Sequence, residues 1–364
     1  MTSRSGATRH WFDRTLHARR RPALLLRAKA VSSLRRFFEA RGVLEVETPA
    51  LQASPGLEPH LSAFATELAE PFETGRSTLY LHTSPEFAMK KLLCAGESDI
   101  FQLARVFRNE ERSDTHHPEF TMLEWYRSGF SLSDLMDETE ALVQAVARDV
   151  GVDTLTWNGH RVDPHQPWER LSAAGAFARI GLDLNAALEA GVRLSGRPME
   201  PDPRPLAAAA RDRGLALNSA EHDRFDDVFF RIFLEHIEPA LGCERPTLLY
   251  GYPLCMAALS RPSQAEPGTC ERFELYVGGL ELANAFGELQ DPQEHVRRFT
   301  ADMDVREALY GTRYPIDGDF IAALEQGLPE CSGIALGFDR LVMLLAGAAT
   351  IDDVLWVPVC ANPT

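Results

Sequence analysis

The segment from Val106 to Trp125, VFRNEERSDTHHPEFTMLEW, constrains the fold more than any other part of the chain. An apolar run, FQLARVF, ends just before Arg108, a charged loop follows, and a second extended run begins at HPEF. Apolar runs on both sides of a polar loop predict two antiparallel strands. This hairpin would place Arg108 and Glu110 at the mouth of its loop and Phe120 on the returning strand.

These three side chains have the chemistry that a nucleotide needs. The guanidinium of Arg108 can hold a phosphate through two N–H groups. The carboxylate of Glu110 can accept a hydrogen bond from an exocyclic amine, and the ring of Phe120 can stack on a base. For the hairpin alone, the alternative is a solvated ion pair between Arg108 and Glu110.

Acidic and polar residues stand on both sides of the hairpin in the sequence. Ser84, Pro85 and Glu86 have the order of a helix start, with a cap, a proline and then an acid in the first turn. Further on, RFELYVGGLELANAFGELQDP carries Glu281 and Glu288, seven residues apart. Residues at an odd spacing point to opposite faces of an unbroken strand. Both acids can reach one site only if the strand bulges between them, and Gly287 is the candidate position.

A fourth segment, SGIALGFDRLVML, lies near the C-terminus. Glycines at 333 and 337 alternate with apolar residues in a predicted strand, and Asp339–Arg340 opens a helix. Small residues let a ligand approach the backbone closely. Arg340 then either contacts such a ligand or forms a buried ion pair with Asp339.

Four segments resemble signature motifs of the lysyl-type class II aminoacyl-tRNA synthetases, namely FRNE with HPEF, TSPE, ELANAFGEL and GIALGFDRLVML. The segment RRFFEARGVLEVETPAL is similar to the first class II motif, which builds the dimer interface in that family. The resemblance implies an α+β fold, in which helices flank a mostly antiparallel β-sheet. It also implies an ATP-dependent, AMP-forming ligase that needs Mg²⁺ and forms a homodimer.

The resemblance also assigns residues to two ligands. The amino-acid pocket would contain Ser84, Glu86, Tyr126, Asn284, Glu288 and Ala335. The ATP site would contain Arg108, Asn109, Glu110, His117, Phe120, Glu281, Leu282, Gly337 and Arg340. The catalytic set would be Arg108 and Arg340 on the nucleotide, with Glu281 and Glu288 holding Mg²⁺. His117 stands where the family often has asparagine, so its contact with ATP is an open question.

The chain is expected to hold one catalytic domain, residues 22–364, after an Arg-rich extension at 1–21. That extension is either a transit peptide or a frayed lead into a helix that runs from Pro22 to near Gly42. Residues 151–245 show little similarity to the family and are expected to be scaffold or insertion. His222 and His236, both in this region, are expected to serve packing or surface roles and not metal binding.

Composition narrows the function. The net charge of −16 argues against a protein that grips tRNA, which normally needs a basic face. About twenty residues precede Pro22, too few for the OB-fold anticodon-binding domain of lysyl-tRNA synthetases. Six cysteines without CxxC pairing favour the reducing cytoplasm over zinc or disulfides. The chain lacks an apolar run of about 18 residues, which argues against a membrane span.

These features favour the protein-modifying relatives of lysyl-tRNA synthetases, which attach (R)-β-lysine or lysine to a lysine of elongation factor P. Ala335 agrees, because lysyl-tRNA synthetases have glycine at the matching position. Three alternatives stay open: a truncated enzyme that charges tRNA, an inert paralogue with a regulatory role, and a ligase that makes a small amide. Arg108, Glu281, Glu288 and Arg340 are all present, which argues against the inert paralogue.

Overall fold

The protein is represented by a computed structural model, which describes residues 11–72, 75–215 and 223–359. Residues 1–10 of the predicted N-terminal extension, together with His222 and Cys360, lie outside this range. The other five cysteines are free thiols, as expected. Every helix in the described ranges is too short or too polar to cross a lipid bilayer.

An eight-stranded sheet with the order β1-β5-β6-β13-β12-β11-β10-β9 forms the centre of the fold. Its strands pair antiparallel except at β1–β5 and β9–β10, which confirms the predicted mostly antiparallel sheet. The strands are β1 (Leu44–Glu45), β2 (Leu51–Gln52), β3 (Phe64–Ala69), β4 (Arg76–Leu81), β5 (Ile100–Phe107), β6 (Glu119–Ser128), β7 (Leu155–Trp157), β8 (His160–Val162), β9 (Glu169–Ser172), β10 (Thr247–Tyr250), β11 (Arg272–Val277), β12 (Leu280–Gly287) and β13 (Cys331–Gly337).

Helices cover both faces of this sheet. They are α1 (Arg14–Glu39), α2 (Glu86–Cys94), α3 (Leu132–Val150), α4 (Ala173–Arg179), α5 (Leu184–Ser195), α6 (Arg204–Asp212), α7 (Phe225–His236), α8 (Pro292–Tyr310), α9 (Gly318–Gly327) and α10 (Phe338–Ala346). The main core lies where α1, α3 and α10 pack on the sheet, with Phe38, Trp125 and Leu344 fully buried. On the other face, α2, α8 and α9 pack through Phe87, Phe299 and Phe320 and leave a cavity.

Helix α1 begins at Arg14, so the predicted start of this helix at Pro22 is wrong: the proline lies inside the helix. The Asp13 carboxylate caps the start by accepting from the backbone N–H groups of Thr15 and Leu16, each at 2.9 Å. Buried Arg20 donates to the carbonyl of Leu355, which ties this first part of the helix to the C-terminal segment. Tertiary contacts therefore order a stretch that composition alone presents as a frayed extension.

In its described residues, the region at 151–245 folds into the hairpin β7–β8 and four α-helices that have a core of their own. Phe177, Phe229 and Phe233 pack there against Tyr252 and Tyr276 of the following segments. The sequence predicts a helix from Trp168 onward, but Glu169–Ser172 is a strand that extends the sheet beside β10. His236 is partly buried and lies 4.0 Å from Glu235.

Strand β12 contains the bulge that the spacing of its glutamates required, but at a different residue. Leu275 pairs with Ala283 and the next residue, Tyr276, pairs with Glu281, so Leu282 is the extra residue. Because one residue is added, Glu281 and Asn284 come to the same face of the sheet. Gly287 has a different role, since a side chain there would collide with that of Glu271.

The buried ion pair between Arg27 of α1 and Asp339 at the start of α10 should be a major source of stability. Arg27 also donates to the Thr121 hydroxyl at 2.8 Å. We expect Arg27→Ala to lower the free energy of unfolding by about 3–5 kcal/mol, because it leaves the Asp339 carboxylate buried without its cation. Urea denaturation at fixed protein concentration measures this loss. Arg197→Ala, which breaks the exposed Arg197–Glu200 pair, is the control and should cost less than about 1 kcal/mol.

Candidate active site

The floor of the cavity consists of rows of side chains that cross the central strands. In one row Tyr126 pairs with Gly333, which pairs with Phe286; in the next, Glu124 pairs with Ala335, which pairs with Asn284. Cross-strand partners share a face. Strand β13 therefore contributes only small groups, from Gly333, Ala335 and Gly337, at the middle of this floor. The resulting trough opens into a cavity of about 430 Å³.

The cavity brings together eleven of the fifteen predicted site residues, which are Ser84, Glu86, Arg108, His117, Phe120, Glu281, Leu282, Asn284, Ala335, Gly337 and Arg340. Tyr126, which belongs to the first row, and Glu288 are buried and do not line the cavity, with 2% and 1% exposure. Asn109 and Glu110 do not line the cavity. The backbone N–H of Asn109 donates to the Ser62 carbonyl at 2.7 Å, and the Ser62 hydroxyl donates to Glu110 at 3.0 Å.

Arg108 lies at the end of β5 in the predicted hairpin, and it does not form the ion pair with Glu110 that was the alternative. Its guanidinium carbon lies 5.2 Å from the centre of the Phe120 ring. The buried Nε has no hydrogen-bond partner in the described part of the chain. The Arg108 guanidinium is stacked on the Phe120 ring and still has an N–H group free to donate, so it can bind an anionic ligand in the cavity.

Arg340 faces the same cavity from the start of α10. It donates to the carbonyl of Glu281 at 2.7 Å and lies 2.8 Å from Nε2 of His116. Asp339 pairs with Arg27, so the alternative Arg340–Asp339 ion pair is wrong. Burial, then the charges of Arg340 and Arg108, lower the pKa of His116 to about 4, so this imidazole is neutral and can accept from Arg340.

His117 is held by backbone groups on both sides of its ring. Its Nε2 accepts from the Val359 amide at 3.1 Å, and its Nδ1 lies 2.6 Å from the Glu119 carbonyl. The imidazole therefore connects the hairpin loop to the C-terminal segment. It borders the cavity, but both of its nitrogens are already engaged.

Lys90, which the sequence reasoning missed, bridges two predicted substrate residues. Its ammonium lies 2.5 Å from Glu86 and 2.6 Å from Glu288, and the side chain is fully buried. Burial alone would lower the pKa of Lys90, but the charges of Glu288 and Glu86 raise it, so the ammonium stays charged. Lys90 is one of only three lysines in the chain.

Glu124, also missed, organises the adjacent hydroxyl groups. One carboxyl oxygen accepts from Ser84 and the other from Tyr126, each at 2.6 Å. Burial, followed by the nearby charge of Glu86, raises the pKa of Glu124 to about 8. The available signal in the sequence was a charged residue inside an otherwise apolar strand, TMLEWY.

Two further acidic side chains, Glu274 and Glu238, lie near Glu281. Glu274 accepts from the hydroxyls of Tyr252 and Tyr276, each at 2.5 Å. Burial, then the charges of Glu281 and Glu274, raise the pKa of Glu238 to about 7. In the described residues, no set of three or more His, Cys, Asp or Glu side chains is arranged to hold a metal by itself. Glu281 is the acid of this group that lines the cavity.

Sequence comparison agrees with the fold and with the placement of the motifs. The family model of class II tRNA synthetases (D, K and N) matches residues 7–360. The chain therefore belongs to the class II tRNA synthetase family.

Relatives within this family share a more specific name. An elongation factor P–(R)-β-lysine ligase from Haemophilus ducreyi is 42% identical over 333 residues, 91% of this chain and 92% of the relative. The Vibrio cholerae protein of the same name is 42% identical, with 91% and 94% coverage. The one from Proteus mirabilis is 41% identical over 336 residues, with 92% and 94% coverage.

The buried Glu124 carboxyl should make stability depend on pH. Its pKa is raised in the folded state, so between pH 6.5 and 8 the folded protein binds a proton that the unfolded chain has already lost. The free energy of unfolding should therefore fall as pH rises through this window, by about 1–2 kcal/mol from this group. Urea denaturation of the wild type and Glu124→Gln at pH 6.5, 7.25 and 8 would test this. Parallel curves for the two proteins would contradict it.

Proposed function

We propose that this protein activates (R)-β-lysine or lysine as an acyl-adenylate and transfers the acyl group to a lysine ε-amine of elongation factor P. The observation that carries the proposal is a single cavity that is lined by two arginines, Arg108 and Arg340, and by the carboxylate of Glu86. A site that binds both a triphosphate and a diamino acid needs positive groups for the phosphates and negative groups for the ammonium groups, close to each other. The names of the relatives, which align over nearly the whole chain, support the same reaction.

In the activation step the substrate carboxylate attacks the α-phosphorus of ATP. A carboxylate oxygen forms a bond to phosphorus, the bond to the bridging oxygen breaks, and pyrophosphate leaves. Two anions must approach each other, so preorganised positive charge lowers the barrier. Arg108, with its unpartnered Nε, is our candidate for the α-phosphate contact. Phe120 and Arg340 would lie on the two faces of the adenine.

Magnesium, when bound, would neutralise charge on the phosphates. Mg²⁺ is usually held by one or two carboxylates together with phosphates and waters. The cavity-facing Glu281 fits that chemistry. Glu288, the other predicted ligand, is engaged by Lys90, so Glu281 is the stronger candidate.

Recognition of the diamino acid would depend on acceptors near Glu86. When Glu124 is ionised, Ser84 and Tyr126 both donate their hydroxyl protons to it, so their oxygens are left with lone pairs, which accept from an ammonium group. Lys90 offsets part of the negative charge of Glu86 and Glu288, which keeps the two carboxylates together before substrate binds. The methyl of Ala335 narrows the floor between Glu124 and Asn284, where it would influence which amine position fits.

We further propose a homodimer that forms through the motif-1 segment. Leu25 of α1, Leu44 of β1 and Leu51 of β2 are 43–52% exposed, and a second copy would cover them. A cytoplasmic location fits the free thiols of the described cysteines. An acidic chain with net charge −16 also suits a protein acceptor better than tRNA.

Arg108→Ala should lower lysine-dependent ATP–pyrophosphate exchange by about 10²-fold, corresponding to about 3 kcal/mol of lost transition-state stabilisation. Arg105→Ala is a matched control, because Arg105 lies on the same strand but is exposed and approaches only Glu119, at 4.0 Å. It should retain exchange. Equal rates for Arg108→Ala and the wild type would remove Arg108 from the proposed role.

The acceptor can be identified by intact mass spectrometry of elongation factor P. Incubation with enzyme, ATP and (R)-β-lysine or α-lysine should add one lysyl group to a single lysine, and omission of ATP should abolish it. A parallel reaction with tRNA and labelled amino acid tests the competing acceptor. Charging of tRNA with no change in the mass of elongation factor P would reject the proposal.

A further inference from the structure

Two acidic side chains in the cavity have no part in the mechanism above. Glu58 lies on the loop after β2, and Asp302 lies on the cavity-facing side of α8. The Glu58 carboxyl lies close to the backbone of Gly56. A Cβ added at Gly56 would lie 2.9 Å from Oε2 of Glu58 and closer still to the Thr83 hydroxyl. Neither acid forms an ion pair within residues 11–72, 75–215 and 223–359. Both carboxylates are therefore available to a ligand.

The charged groups that act on Glu58 belong to both predicted ligand sites. They are Glu86 and Lys90 of α2 and Arg108, the candidate for the phosphate contact. Asp302 interacts with Glu58 on one side and, on the other, with Arg298 of its own helix and with Arg224 and Asp226 at the start of α7. Glu58 and Asp302 line the same cavity as Glu86 and Arg108, which is the cavity that would hold the adenylate.

Both carboxyl groups have a raised pKa, which makes each a better proton acceptor once it is ionised. Enclosure by the cavity walls, then the charge of Glu86, raises the pKa of Glu58, while Arg108 and Lys90 act in the opposite direction. Enclosure, then the charge of Glu58, raises the pKa of Asp302 to about 7. Glu58 is accessible to water through the cavity opening, so a ligand that enters by the same route can reach it.

Aminolysis of an adenylate needs groups that accept protons. A lysine ε-ammonium has a pKa near 10.4, so it must lose one proton before its nitrogen can attack. The nitrogen then forms a bond to the acyl carbon, the bond from that carbon to the phosphate oxygen breaks, and AMP leaves. The amide nitrogen must lose a second proton. The reaction thus releases two protons beside the site that holds these two carboxylates.

We propose that Asp302 and Glu58 form the acceptor-lysine site, with Glu58 taking the first proton from the incoming ammonium and Asp302 taking the second. This inference rests on the proposed function, because it assumes that the acceptor is a protonated primary amine. The acceptor lysine would then contact Glu58 and Asp302, whereas the amino acid that is activated would contact the residues near Glu86. It also assigns the proton acceptor that the mechanism above leaves without a residue.

Glu58→Gln and Asp302→Asn, with the exposed Asp304→Asn on the same helix as control, test this assignment. Each protein is loaded with ATP and lysine substrate and then given one of two nucleophiles, elongation factor P or hydroxylamine. Hydroxylamine is already unprotonated at neutral pH and needs no base. At pH 7, Glu58→Gln should slow transfer to elongation factor P by about 10²-fold, and hydroxamate formation should fall far less. Hydroxamate formation also reports that the variant is folded.

The pH profile separates proton transfer from a structural effect. Transfer by the wild type should level off once the pH exceeds the raised pKa of Glu58, whereas transfer by Glu58→Gln should keep rising toward the pKa of free lysine. Equal losses with both nucleophiles would overturn the assignment and place Glu58 in binding of the activated amino acid. Unchanged transfer would also overturn it. Hydroxamate formation by the wild type without any modification of elongation factor P would reject the proposed function itself.

Discussion

The site depends on the absence of bulky side chains from one face of β13. Three alternating positions on this central strand hold Gly333, Ala335 and Gly337, and their neighbours on β6 and β12 are large. A Cβ at Gly333 would overlap both Tyr126 and Glu288. Because cross-strand neighbours are fixed by register, one strand with small residues is enough to open a trough across the sheet. The arginines and carboxylates that line the cavity surround the space that the small side chains of β13 leave free.

The geometry of the strands also explains which parts of the site could be predicted from the sequence. The hairpin around Arg108, the alternating glycines and the need for a bulge between Glu281 and Glu288 all follow from the two-residue period of a strand. The bulge position does not, because it depends on how β11 pairs with β12, and this pairing makes Leu282 the extra residue. The early start of α1 also depends on distant contacts, such as that of Arg20 with the carbonyl of Leu355.

Long-range contacts account for the residues that sequence reasoning missed. The role of Lys90 depends on Glu288, almost two hundred positions away, which the fold brings within 2.6 Å. Glu124 likewise acquires its role from Ser84 and Tyr126. His117 borders the cavity, and its contact with the Val359 amide of the C-terminal segment is also long-range. Local patterns contain no information about such partners.

The burial of Lys90 protects its amine from acylation by an acyl-adenylate made in the same site. An acyl-adenylate is a mixed anhydride that reacts with any free amine, including those of the protein that makes it. Only Lys29, Lys90 and Lys91 carry side-chain amines in this chain, while nearly all of its 37 basic residues are arginines, whose guanidinium groups stay protonated and unreactive. Lys90 is sealed between two carboxylates and Lys91 is bound to Asp317, which leaves Lys29 on α1 as the one exposed target. An activated acyl group that escapes therefore meets a surface almost devoid of competing side-chain amines.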